Sequence, residues 1–301
     1  MQISAVPKEI NEWSGSVLIA GILEGTIESQ INLFKAIIKD TFLSQRFIDS
    51  KFEGKKNQNL SIELIEGKVK KVIFVGLGKA ETLRIDDLRK AASIGTRQVS
   101  GYERKLGIFF PWYAFDPSSA ACAVGEAVRL SSIKDFRFKS EPKEPTPIDE
   151  VELIGLDTKT TKTAIDEINP ICEGVKFARE LVSAPPNFLT PYQMSKEAEK
   201  LATDYDLDLK VLDRKECENQ GMGAYLAVAK GSDLDPNFIH LKYSPKNAKN
   251  KVVLIGKGLT FDSDLNLRSL IVDNRIASPT AHAAMEGSNA SQGKNIPNFL
   301  S

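Results

Sequence analysis

The sequence predicts an α/β protein in two parts. Three observations carry this. Over residues 1–139, short apolar and β-branched runs alternate with stretches of helical periodicity. A proline-rich, charged break follows at Ser140-Glu-Pro-Lys-Glu-Pro-Thr-Pro147, and the alternation resumes after Asn187. Strands that alternate with helices form mostly parallel sheets covered on both faces.

In the first part, Val17–Ala20, Ser61–Ile65, Val72–Val75 and Leu106–Phe110 have the strand pattern. Ile31–Ile38 sets Leu33, Phe34, Ile37 and Ile38 on one helical side. Asp86–Val99 and Ser119–Leu130 repeat that spacing, with Pro117 or Ser119 at the start of the latter. Gly76-Leu-Gly78-Lys79 lacks the remaining residues of either phosphate-binding signature, and Glu81 stands where GxGxxG needs glycine, so it reads as a tight turn. Trp13 and Trp112 read as packing residues. The prolines of 140–147 remove backbone donors and fix φ, so neither helix nor sheet continues through them. Val151–Gly155 is one more short strand. Lys162–Val182 has helical spacing, with Pro170 expected to break or kink its early part.

In the second part, Thr190-Pro191 is a helix start, a hydroxyl cap followed by proline at the first helical position. Leu207–Leu212 and Phe238–Tyr243 are strands, with a short helix at Arg214–Asn219. His240, one of two histidines, sits within a strand and reads as a core or surface residue. Val252–Ile255, bounded by Lys251 and Gly256, reads as a buried strand. Past its tip lie Lys257, Thr260, Asp262, Ser263 and Asp264. Chemistry collects at strand tips in open α/β sheets, and an amine with a carboxylate five residues on could share a divalent cation; on residue types alone, a strand ending in a solvated turn is the better reading.

Composition limits the partners. Forty basic and forty acidic residues balance, so no global field draws nucleic acid or anionic membrane. Three widely spaced cysteines, Cys122, Cys172 and Cys217, suit a reducing cytosol better than a disulfide framework. Val17–Leu23 is much too short to span a bilayer. The expected location is cytoplasmic.

The segment Gly256-Lys-Gly-Leu-Thr-Phe-Asp-Ser-Asp-Leu-Asn-Leu267 resembles the metal-site signature GKGLTFDSGGLNLK of the leucyl (cytosol) aminopeptidases, a family of two-metal peptidases. Arg179–Pro191, Gly221–Ser232 and Ile239–Tyr243 resemble other segments of the same family, in order. The resemblance is strong over roughly 175–268 and looser before that. It implies a macro-domain-like N-terminal domain over 1–150, a linker and connecting helix over 151–185, and an incomplete catalytic domain over 186–277. Residues 278–301, poor in large apolar side chains, read as a disordered tail.

The resemblance also implies a site. The family holds two divalent cations, manganese or zinc, with one lysine, three aspartates and one glutamate, and a further lysine and an arginine assist the transition state. Lys257 and Asp262 match the first two ligands. Arg268 stands in place of the assisting lysine, one residue closer to Asp262, because Ser263-Asp264 replaces SGG. Arginine does not readily give up its proton, so this is not a conservative exchange. Asp273 lies at the wrong distance for the next ligand, and the late NTDAEGR signature is absent from the sequence. The expectation is a truncated, inactive relative of enzymes that remove N-terminal residues from peptides, binding no metal or one cation weakly, with the family's hexamer in doubt. A non-catalytic interaction or regulatory protein keeping the N-terminal domain surface, or a fragment of a disrupted gene, stay as alternatives.

Overall fold

The computed structural model describes residues 1–35, 38, 42–99, 104–141 and 147–260. The chain divides into two compact units, Met1–Phe177 and the residues from Ala178 onward.

The first unit contains β1 (Gln2–Val6), β2 (Val17–Leu23), α1 (Ile27–Phe34), α2 (Leu43–Asp49), β3 (Asn59–Glu63), β4 (Lys71–Gly78), α3 (Ile85–Arg97), β5 (Lys105–Phe109), α4 (Pro117–Ser132) and β6 (Glu150–Ile154). A helix α5 (Thr158–Ser183) follows. The six strands lie in the order β1-β6-β5-β2-β4-β3, and only β3 is antiparallel to its neighbour. This is the mostly parallel α/β sheet that the alternation predicts.

Every residue of β2 and β4 is buried, as a strand covered on both faces requires. Successive side chains then feed opposite cores. Val17 and Ile19 pack on one face with Leu88, Ala91 and Ala92 of α3 and Ala120, Val124 and Val128 of α4. Leu18, Ala20 and Ile22 pack on the other with Ile31 and Phe34 of α1 and Leu43 and Phe47 of α2. Small residues on α3 and α4 let those helices approach closely; a Cβ on Gly95 would lie 2.6 Å from Ile19 Cγ2. Helix α4 starts where Asp116 accepts a hydrogen bond from the Ser119 amide at 2.8 Å with Pro117 at the first position. Both tryptophans pack inside, with Trp13 and Trp112 buried.

Several elements differ from their sequence expectation. β3 is Asn59–Glu63 rather than Ser61–Ile65, and Ile65 is exposed. The pairing with β4 sets this register by placing Ile62 inward and closing the turn by Leu64 N–H to Lys70 O at 2.7 Å. Pro170 does not break the long helix, which runs unbroken from Thr158 to Ser183. Proline removes one backbone donor, but Thr161, Ile168 and Cys172 are buried on either side of it, and packing outweighs local propensity. β6 lies inside the sheet, paired with both β1 and β5, so a connecting segment begun at residue 151 cuts through a strand of the first unit.

The second unit contains α6 (Pro191–Tyr205), β7 (Asp208–Leu212), α7 (Arg214–Asn219), α8 (Gly223–Ala229) and β8 (Phe238–Lys242). Thr190 caps α6 through Oγ1, which accepts from the Gln193 amide at 3.2 Å. Asp206, in left-handed backbone at φ 52°, ends it. A reciprocal cap between Asp213 and Glu216 starts α7. β7 and β8 pair antiparallel as a two-stranded sheet. The core is small: Ala184, Leu189, Ala198, Leu212 and Cys217 are buried. Asn237 Nδ2 donates to the Pro191 carbonyl at 3.1 Å and to Ser195 Oγ at 3.3 Å, tying the start of β8 to α6.

The expected strand Val252–Ile255 is not formed; those residues are irregular, and each is between 58% and 82% exposed. An apolar run becomes a strand only where a neighbouring strand takes its backbone groups, and among the described residues β8 pairs with β7 alone. The expected tail 278–301 lies outside the described residues. Among the described residues, no helix is long and apolar enough to cross a membrane.

Candidate functional site

Of the three site residues expected from sequence, Lys257 is described, and Asp262 and Arg268 lie outside the described residues. Lys257 is exposed within the irregular stretch 251–259. Its flanking glycines, Gly256 and Gly258, have open space where a side chain would stand, so nothing packs that turn into a fixed geometry. Among the described residues, no three His, Cys, Asp or Glu side chains group closely enough to hold a metal ion. The described residues therefore do not fit a two-metal centre. His240, on β8, is exposed.

Two further features of the first unit carry polar chemistry. Trp13 Nε1 donates to Glu152 Oε2 at 2.8 Å, and Lys105 Nζ lies 3.1 Å from Glu152 and 3.3 Å from Glu150. Glu152 is buried, and these partners satisfy it. Burial opposes the Lys105 charge, but its hydrogen bonds to Glu152 and Glu150 prevail and raise its pKa. This is a structural network. An open groove of about 450 Å³ runs along α3, lined by Asn57, Asp86, Arg89, Lys90, Ser93, Ile94 and Arg97. Arg89 is held there by Asp86 and, at 3.3 Å, by Glu126. Sequence reasoning missed the groove; the only available signal was Asp86, Lys90, Ser93 and Arg97 at helical spacing, which any solvated helix face shares.

Gly76, Leu77 and Gly78 are the last residues of β4 rather than the expected tight turn, because β2 takes up their backbone groups, and they carry no phosphate-loop geometry. Gly78 adopts φ 80°, the Lys56 stem lies over it, and Lys56 Nζ pairs with Asp87 at 2.7 Å. None of the three cysteines is in a disulfide; Cys172 and Cys217 are buried and Cys122 is half-buried. Burial, with the Glu126 carboxylate beside it, pushes the Cys122 thiol up to about 11, which leaves it protonated and unreactive at neutral pH.

A six-stranded, mostly parallel α/β unit followed by a small second unit that runs into a Gly-Lys-Gly-Leu-Thr segment defines a two-part α/β protein whose candidate chemistry lies in the second part. Comparison with known proteins gives that class its family. The profile of the cytosol aminopeptidase family N-terminal domain matches residues 22–142, and that of its catalytic domain matches 176–269. The chain belongs to the cytosol aminopeptidase family. It is 46% identical over 264 residues to a probable cytosol aminopeptidase of Prochlorococcus marinus strain SARG, and 47% identical over 264 residues to one of strain MIT 9211. Each match covers 87% of this chain and 53% of the relative. The chain thus spans about half the length of the curated relatives it matches. Among solved structures, a tomato leucine aminopeptidase mutant is similar with a TM-score of 0.74 at 28% identity, over 87% of this chain and 55% of that one. The bottromycin maturation enzyme BotP, solved in complex with Mn, shares the fold with a TM-score of 0.59 at 24% identity, over 77% and 46% of the two chains.

Proposed function

We propose that these 301 residues carry the first part of a metal-dependent aminopeptidase centre, with Lys257 and Asp262 as two of its ligands and Arg268 in the place of the assisting lysine. The observation behind this reading is that the Gly256–Leu267 segment lies wholly within the stretch matched by the catalytic-domain profile. The reaction of the complete centre would be removal of N-terminal residues from peptides in the cytoplasm, with two divalent cations, manganese or zinc, polarising the scissile carbonyl and activating water. Two ligands do not hold two cations. By themselves these residues bind at most one cation, with an affinity on the order of millimolar, as for few-ligand, water-rich sites, and they do not turn over peptides.

Leucyl chromogenic substrate, assayed with millimolar Mn²⁺ or Zn²⁺, tests this. Hydrolysis by the chain should not exceed that of a Lys257→Ala, Asp262→Ala double variant, and the weak Mn²⁺ binding of the parent should disappear in the variant. A metal-saturable turnover lost in the double variant would contradict the inactive reading. Mn²⁺ binding equal in both would contradict the ligand assignment.

A second reading, a non-catalytic interaction or regulatory protein, has one observation in its favour: the first unit's sheet is covered on both faces, and no buried side-chain polar atom among the described residues lacks a partner. Under that reading, deleting the residues from 178 onward would leave its binding role intact.

A further inference from the structure

Helix α3 supplies Asp86, Arg89, Lys90, Ser93, Ile94 and Arg97 to the open groove of about 450 Å³, and Asn57 lines it from the 54–58 loop. That volume falls within the range of small-molecule sites, roughly 300–1,000 Å³. Several of the charges here are already matched. Asp86 pairs with Arg89, Arg89 also with Glu126 at 3.3 Å, and Asp87 with Lys56 at 2.7 Å. Lys90 and Arg97 differ: both are exposed, and among the described residues neither has an ion-pair partner. The two acids a turn behind Lys90, Asp86 and Asp87, are the ones taken by Arg89 and Lys56.

Lys90 and Arg97 stand seven residues apart, which is two helical turns or about 10 Å along the axis. Ser93 lies between them, about a turn from each, and positions 91–96 hold no acidic residue. Two long cationic side chains so placed can close on one anion above the serine, whose hydroxyl is a third donor. The walls around them are fixed. Gly76 N–H donates to Gln58 O at 2.8 Å and Asn57 N–H to Gly76 O at 3.3 Å, tying the 54–58 loop to β4. Arg89 is clamped between its two carboxylates, so little besides Lys90 and Arg97 has to be ordered when a ligand binds.

Donor type selects the ligand. A guanidinium fork, an ammonium and a hydroxyl approach from three directions, which suits a tetrahedral phosphate better than a planar carboxylate. Half-buried Ile94 adds an apolar wall, and the groove leaves room for more than a bare anion. A long nucleic acid fits poorly, since the chain's total charge is zero and Asp86 shares the groove.

We propose that Lys90, Ser93 and Arg97 bind the phosphate group of a small molecule, either free phosphate or a phosphate ester whose body lies along Ile94 and Asn57. The site belongs to the first unit and does not depend on the metal-ligand reading.

Titration calorimetry of the full chain with inorganic phosphate, adenosine monophosphate, adenosine and succinate tests this. Both phosphate compounds should bind saturably, with Kd on the order of a millimolar or tighter, and adenosine should not bind. Tighter binding of the monophosphate assigns an ester as the ligand; equal binding assigns free phosphate. Succinate, a dianion without a tetrahedral head, should bind at least tenfold more weakly. Lys90→Gln with Arg97→Gln should weaken phosphate binding at least tenfold, and Ser93→Ala severalfold. Neither cation makes an ion pair among the described residues, so the double variant should keep the parent's circular dichroism. Lys68→Gln with Lys159→Gln removes the same charge from exposed positions outside the groove and should leave binding unchanged. Failure of both phosphate compounds to bind overturns the proposal, as does succinate binding as tightly as phosphate. Equal losses in the groove variant and the control variant would reduce the effect to total charge and also overturn it. So would retention of a DNA duplex by the parent without binding of either phosphate compound, which would make nucleic acid the ligand.

Discussion

Trp13 and Glu152, 139 residues apart, are joined by an indole N–H that donates to a buried carboxylate oxygen at 2.8 Å. Lys105 reaches the other oxygen of the same carboxylate at 3.1 Å. Removing Glu152 leaves the buried Trp13 indole donor without its acceptor and leaves Lys105 with Glu150 alone, and an unsatisfied buried group costs about 1–3 kcal/mol. Glu152→Ala should therefore lower the stability of the first unit by about that amount. Glu150→Ala, at a far more exposed side chain, should cost well under half as much. Urea unfolding followed by tryptophan fluorescence compares the two.

The position of β6 predicts where the first unit can be cut. Because it pairs with β1 on one side and β5 on the other, a fragment ending at 149 loses the strand that attaches β1 to the sheet. Residues 1–177 should unfold cooperatively on heating. Residues 1–149 should give no cooperative transition and should be digested by dilute trypsin at a rate near that of an unfolded chain. Comparable melts for both fragments would mean that β6 is dispensable.

Two glycines should respond in opposite directions to the same substitution. A Cβ on Gly76 would run into the Lys55 carbonyl oxygen, where the 54–58 loop crosses the end of β4. Backbone cannot swing aside as a flexible side chain does, so Gly76→Ala should cost about 1–3 kcal/mol, the range for overpacking. Gly174 lies inside α5 with nothing within 4 Å of a new Cβ. Gly174→Ala should add about 0.5–1 kcal/mol by removing the entropy cost of glycine in a helix. Thermal melts of the two variants against the parent check both signs.

Much of the first unit was legible because its central strands are covered on both faces. Val17–Ala20 and Val72–Val75 are continuous apolar runs, and a parallel strand between two layers of helix has nowhere to put a polar residue. β1 was not legible. Gln2-Ile-Ser-Ala-Val6 alternates polar and apolar residues at the sheet edge, and five residues of alternation are too few to separate from a loop. Pro170 misled in the opposite sense, since the packing of Ile168 and Cys172 that outweighs it is tertiary and leaves no local trace. At the candidate site, Lys257 is an expectation drawn from resemblance, and residue types record what a strand requires, not which neighbour supplies it. Val252–Ile255 has the composition of a buried strand and none of the cover.

The Cys122 thiol offers a pH test. Burial first, and the Glu126 carboxylate next, raise it from 9.0 to about 11. A thiol raised on folding favours the protonated native state, so its contribution to stability is complete below pH 9 and is lost as the pH rises toward 11. The parent should lose more stability across that window than Cys122→Ala does. At pH 8, carboxamidomethylation of Cys122, followed by peptide mass spectrometry, should run at least tenfold slower than in the same peptide unfolded, because only the thiolate reacts.

The order of the strands also has a meaning in time. β1 leaves the ribosome well before β6, the strand that binds it, which begins at Glu150. At roughly 5–20 residues per second, the intervening stretch takes about 7–30 s to synthesise. Throughout that interval β1 has no partner in the sheet, while β2, β4 and β5 can already assemble around α3. The first unit is therefore finished only when a late strand returns to capture an early one, which has waited unpaired through most of the unit's synthesis.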